Sequence, residues 1–156
     1  MSQAPERREL SFDNLDAAVA DAERLSAGEV RTTGNHSFAE IMRHLALTHD
    51  MATGKLVAPR PPFYMRLLMP FLKGFILRGP VRPGFKLPRA SEEFFWPDTE
   101  IDVASALQYL RESVDNYKRV GPLAIHPMFG KLSREQVDRL NASHCAMHLS
   151  FVHPVG

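Results

Sequence analysis

Cys145 is the only cysteine in the 156 residues, so no disulfide can close within the chain. That usage fits a reducing compartment, and a cytoplasmic location is the expectation. A dominant charge is also missing. Nineteen lysines and arginines stand against 18 acids, a formal charge of +1, with none of the basic excess that nucleic-acid binding calls for. The opening Met-Ser-Gln-Ala-Pro-Glu-Arg-Arg has no apolar run behind it, so a signal peptide is not expected. Gly79, Gly84 and Gly121 are too scattered to build a phosphate loop. The longest apolar stretch, Phe63 to Arg78, falls short of the ~20 residues of a membrane span. It also holds Arg66, Lys73, Arg78 and Pro70, so no integral membrane segment is expected. Arg66 and Lys73 share a helical face, which suggests an amphipathic helix pair over one side or end of the core. A membrane-surface contact or a dimer face is the alternative. No stretch alternates with period two for long, so no sheet is expected.

What remains is an ordinary globular mix, 44% apolar and 24% charged, long enough for one domain over residues 1–156. A first helix is predicted from about Asn14 to Ala27, with Leu15, Val19, Ala22 and Leu25 as its stripe and Gly28 as its stop. Ser37 and Glu40 form a capping box for a second helix, in which Phe38, Ile41, Met42 and Leu45 recur at helical spacing until about Gly54. From Gly79 to Asp98, Pro80, Pro83, Pro88 and Pro97 predict a long loop. Its aromatics, Phe85, Phe94, Phe95 and Trp96, predict that the loop is packed and walls a site. A third long helix runs from about Ile101 to Val120, and Gly121-Pro122 ends it. Ser133 with Gln136 opens the last one, which carries Val137, Leu140, His144, Met147, His148 and Phe151. The expected fold is all-α: an antiparallel four-helix bundle with an extra short helical segment.

His144 and His148 carry the chemistry. Four residues apart on a helix, they are rotated ~40° and raised ~6 Å, so both rings leave one face and can grip one ion. The sequence lacks the glutamate of the His-Glu-x-x-His metalloproteases, because Cys145 and Ala146 stand there. A third imidazole must come from elsewhere, and His44, flanked by Ile41 and Leu45 on an inward face, is the best placed. Buried histidines need partners, and one metal would serve all three. The plain alternative is a set of polar side chains bonded to carboxylates or water. His126, in the turn Ile125 to Gly130, is either a structural turn residue or a site-lip residue. His49 is rotated ~140° from His44 and should face elsewhere. His36 and His153 are expected to be exposed, and Cys145 to be a small core residue rather than a ligand.

These residues resemble the DinB/YfiT-like superfamily of metalloenzymes, in which a His-Leu pair in the second helix joins a His-x-x-x-His pair in the last. Here His44-Leu45 and His144-Cys-Ala-Met-His148 match it. The chain is most similar to a branch described as domain of unknown function 1569. The supporting stretches are Arg7–Phe12, Leu25–Gly28, Gly34–Ser37, His44–Ala46, His126–Gly130 and His148–Phe151. His36 departs from that pattern, where an aromatic, often tryptophan, is expected. The resemblance implies a four-helix bundle binding one divalent ion through His44, His144 and His148, and it makes a homodimer plausible.

Three neutral nitrogens leave the ion its full charge and at least one open position. Zinc, nickel and iron all suit imidazole, so spacing does not name the metal. Second ring nitrogens are expected to meet carboxylates, with Glu40, Asp50, Asp98 and Asp102 at hand. One reading is a hydrolase acting on an unidentified small molecule through a metal-activated water. A second is a thiol transferase or isomerase using a low-molecular-weight thiol. A third is a non-catalytic metal-binding module. A pocket is expected between the second and last helices.

Overall fold

The computed structural model describes residues 3–156: six helices and one small two-stranded sheet. In chain order these are α1 (Leu15–Ser26), β1 (Val30–Thr32), α2 (Phe38–Ala52), α3 (Phe63–Ile76), α4 (Arg89–Phe95), α5 (Val103–Arg119), α6 (Arg134–Leu149) and β2 (Val152–Pro154).

Local chemistry sets most of these boundaries. Asn14 caps α1 by accepting from the Ala17 amide, and Asp102 caps α5 by accepting from Ser105. Both predicted capping boxes form, Ser37 with Glu40 before α2 and Ser133 with Gln136 before α6. These two helices carry the three candidate ligands, so the caps fix where the histidine-bearing turns begin.

The core lies where α1, α2, α5 and α6 meet, with α2 packed against α5 and α6, and α1 against the same two. Leu25, Met42, Leu45, Leu110, Val114 and Leu149 are among its fully buried side chains. Polar links tie the helices together at their ends. Arg134, on α6, donates to the carbonyls of Tyr117 and Val120 and lies over the Tyr117 ring, which satisfies the open end of α5. Arg8 makes a two-pronged ion pair with Asp21 of α1 and donates to the Leu149 carbonyl at the end of α6.

Five expectations need correction. A sheet is present: β1 and β2 pair antiparallel, Arg31 opposite His153. Three-residue strands are too short for alternation to register in the sequence. His153 is consequently buried, with its Nε2 bonded to the Glu6 carbonyl, rather than exposed. The stretch from Gly79 to Asp98 is not loop throughout, since α4 occupies Arg89–Phe95. Pro88 sits just before that helix at φ −55°, where a proline costs no helical hydrogen bond. Finally, α3 is one helix that runs through Pro70, not a pair, and it does not cover the core, since Met69 is its only buried residue. Phe85 is likewise 58% exposed rather than packed.

Candidate metal centre

His44 projects from the middle of α2, and His144 and His148 from successive turns of α6, the helix packed beside it. Their Nε2 atoms converge. His44 Nε2 lies 3.2 Å from His144 Nε2, which lies 3.0 Å from His148 Nε2. The three rings meet nearly edge to face, at 68–83° to one another. One donor atom from each falls within 4.8 Å of the others, and the group could hold a metal ion.

Hydrogen bonding fixes the donor character of His44. Its Nδ1 faces the Phe95 carbonyl at 3.0 Å, and a carbonyl only accepts, so Nδ1 carries the proton. Nε2 of the neutral ring is then a bare lone pair aimed at the other two imidazoles. His144 Nε2 can meet that lone pair as an N–H donor or, with its proton on Nδ1, as a second donor atom to one shared cation. With metal–nitrogen bonds of ~2.0–2.1 Å, three ligands of a tetrahedral or octahedral ion stand about 3.0–3.4 Å apart, which the observed spacings match. The residues therefore fit a divalent ion.

Burial keeps all three rings neutral. It lowers His44 and His148 well below the ordinary imidazole range, with the neighbouring histidines adding to the effect. It pushes His144 down to about 4, helped by the nearby His126. At neutral pH the nitrogens are free for a cation without first losing protons.

Trp96 orients the cluster in a way the sequence reading missed. Its ring stacks on His44 at 3.9 Å and 6°, and His36 stacks on its other face at 3.5 Å and 10°. The three rings form a column from the half-buried His36 inward to the ligand set. Arg43, next to His44, donates to the carbonyls of Pro97 and Thr99 and to the Thr99 hydroxyl. Two consecutive residues of α2 thus clamp the chain that follows α4. The signal in the sequence is the cluster Phe94-Phe95-Trp96, expected to wall the site but not to orient one of its histidines. Its Phe95 carbonyl, the last of α4, is an unpaired helix-end acceptor that His44 satisfies.

No carboxylate takes the role expected of one at His44. Glu40 serves the α2 capping box, Asp102 caps α5, and Asp50 accepts from the Tyr109 hydroxyl beside Lys55. Asp98 lines a surface depression beside His36 and Trp96.

The remaining histidines separate cleanly. His126 Nδ1 accepts from the amides of Met128 and Phe129, in a turn closed by paired backbone bonds to Gly130, which sits at φ +73°. The neutral ring therefore carries its proton on Nε2, and burial holds it neutral by lowering its pKa to about 4. His49 does face elsewhere: it is fully buried, between Ser113 at 3.2 Å and Cys145 at 3.9 Å. Cys145 is a core residue, with its thiol pushed up to about 12 by burial. His36 is half-buried against Trp96 rather than free in solvent.

The expected pocket between α2 and α6 does not coincide with either of two depressions on the surface. One, of about 780 Å³, lies between the Arg7–Asp13 strand of chain and the outer face of α6. The other, of about 650 Å³, lies beside His36 and Trp96. Neither is lined by His44, His144 or His148. By surface exposure His144 and His148 are half-buried, while His44 is buried.

A protein family described as a protein of unknown function, DUF1569, matches residues 4–155. The chain belongs to the DUF1569 family. No curated protein and no solved structure matches it. DUF1569 membership agrees with the branch resemblance and assigns no reaction.

Proposed function

We propose that this DUF1569 protein holds one divalent metal ion through Nε2 of His44, His144 and His148. We further propose that it is a metal-dependent enzyme, most simply a hydrolase, on a four-helix bundle of the DinB/YfiT type. The observation that carries the reading is the convergence of three neutral imidazole nitrogens at 3.0 and 3.2 Å, one of them fixed as a lone pair by the Phe95 carbonyl. When bound, a divalent ion supplies Lewis acidity and lowers the pKa of a coordinated water. The chain's own residues do the rest. Trp96 and the Phe95 carbonyl hold His44 in plane. His126 presents an Nε2–H, a donor fixed by two backbone amides, near enough to His144 to lower its pKa. That proton can be given to a substrate oxygen as a hydrogen bond, while Nδ1 is already occupied, so His126 is a lip residue rather than a fourth ligand. Three ligands leave a position open to water, substrate or a small thiol.

A second reading rests on a specific observation. Neither of the two depressions described is lined by the three histidines, and a metal-binding module without turnover needs no substrate pocket there. The experiment that separates the two loads the protein with zinc, nickel or iron and assays ester and amide hydrolysis and thiol transfer, beside His144→Ala and His126→Gln. The enzyme reading expects turnover that disappears in His144→Ala and falls about 10²-fold or more in His126→Gln with metal retained. Metal retention with no turnover on any class would leave the binding module.

A further inference from the structure

α3 leaves one whole row of its apolar side chains in water. Phe63, Leu67, Phe71 and Phe75, spaced four residues apart, are 77, 68, 83 and 82% exposed. The adjoining row of Tyr64, Leu68, Leu72 and Ile76 is exposed too. Together they leave on the order of 800 Å² of apolar side chain in water, more than the largest patch of a typical monomer. The helix is held to the body elsewhere. Met69 is buried, the Lys73 ammonium donates to the Lys131 carbonyl, and the Val81 amide donates to the Ser143 hydroxyl.

Charge around this helix is segregated. Of the chain's 19 lysines and arginines, eight lie between Met51 and Ser91: Lys55, Arg60, Arg66, Lys73, Arg78, Arg82, Lys86 and Arg89. None of the 18 acids lies there, so the rest of the chain holds 11 cations against 18 acids. Among the described residues, Arg60, Arg66, Arg78, Arg82 and Lys86 pair with no carboxylate, and all five are exposed. A near-neutral protein therefore carries one strongly cationic segment wrapped around one unburied apolar helix.

We propose that α3 and its cationic flanks are a docking surface for an anionic lipid membrane. α3 lies in the plane of the interface, with the phenylalanine row at the boundary of the acyl chains and the arginines among the headgroup phosphates. The contact is superficial, because among the described residues no helix is long and apolar enough to cross a membrane. Self-association suits the surface less well, since a two-fold contact sets the same cationic segment against itself. An acidic protein would match the charge, but a convex row of phenylalanines suits a deformable layer better than a groove.

The test is co-sedimentation of the intact chain with phosphatidylcholine vesicles and with equal mixtures of phosphatidylcholine and phosphatidylglycerol, alongside sedimentation velocity without lipid. At about 0.1 M salt, binding to the mixed vesicles should exceed binding to the neutral ones by about tenfold or more, and about 1 M salt should remove most of it. Phe71→Asp/Phe75→Asp and Arg78→Glu/Arg82→Glu should each lose that binding with unchanged helical circular dichroism, since all four side chains are exposed. Three results would overturn the proposal. These are equal retention on neutral vesicles, undiminished binding by both variants, or no binding to the mixed vesicles, in which case a dimer that Phe71→Asp/Phe75→Asp dissociates would assign the surface to a second copy.

Discussion

At the scale of single residues, Trp96 governs how firmly the centre is built. It cannot ligate, yet its ring lies parallel to His44 and limits that imidazole to one plane, while the Phe95 carbonyl fixes its tautomer. Groups that orient ligands typically change metal affinity by 10–100-fold when removed. Trp96→Leu should therefore weaken metal binding about tenfold in chelator competition, with the metal-to-chain ratio at saturation unchanged. Equal affinity in the variant would show that the stack is packing alone. His49 gives a residue-scale test of a different kind. Burial lowers its pKa to about 3, below the ~6.5 of an unfolded chain. As pH falls below 6.5 the unfolded chain takes up a proton that the folded one refuses, so stability is complete above that pH and is lost below it. His126, lowered to about 4, acts in the same sense. Each contributes a slope of up to about 1.4 kcal/mol per pH unit. Urea unfolding of metal-free protein should show lower stability at pH 5 than at pH 7, and His49→Gln should reduce that difference. Identical stabilities at the two pH values would contradict the burial of both rings.

At the scale of elements, α2 is the organiser. Its capping box sets its start, its apolar side fills the core, and Arg43 and His44 hold the chain that leaves α4. Arg43→Ala removes three charge-assisted hydrogen bonds from a buried guanidinium and should cost about 2 kcal/mol or more in denaturant unfolding. It should also loosen Trp96, seen as a red shift in the emission of the only tryptophan. An unshifted spectrum would mean that α4 holds Trp96 without α2. The helices bearing the ligands were legible because their signals are local: Ser-x-x-Glu, Ser-x-x-Gln and apolar residues at helical spacing. α4 was not, because four prolines in that stretch read as breakers although Pro88 precedes a helix start. The strands were not, because three residues carry no period. α3 was legible as a helix but not in its placement, since periodicity does not say whether an apolar face meets core or solvent.

At the scale of the whole molecule, the candidate metal centre and the exposed apolar helix are carried by different parts of the chain. The core of α1, α2, α5 and α6 fixes a cluster of histidines drawn from residues a hundred positions apart, while the cationic, apolar α3 stands off it. The convergence of the three histidines was readable because two of them lie four apart on one helix and the third lies on an inward face. Its support was not, because a backbone carbonyl and a stacked indole leave no pattern in sequence, and a carboxylate was the natural expectation. The central claim is that His44, His144 and His148 together hold one divalent ion. Metal content per chain, measured for untagged protein and for His44→Ala and His148→Ala, tests it most directly. About one ion per wild-type chain is expected, lost in both variants with their helical content intact. No bound metal in the wild type after reconstitution with zinc, nickel and iron, or undiminished metal in the variants, would contradict it.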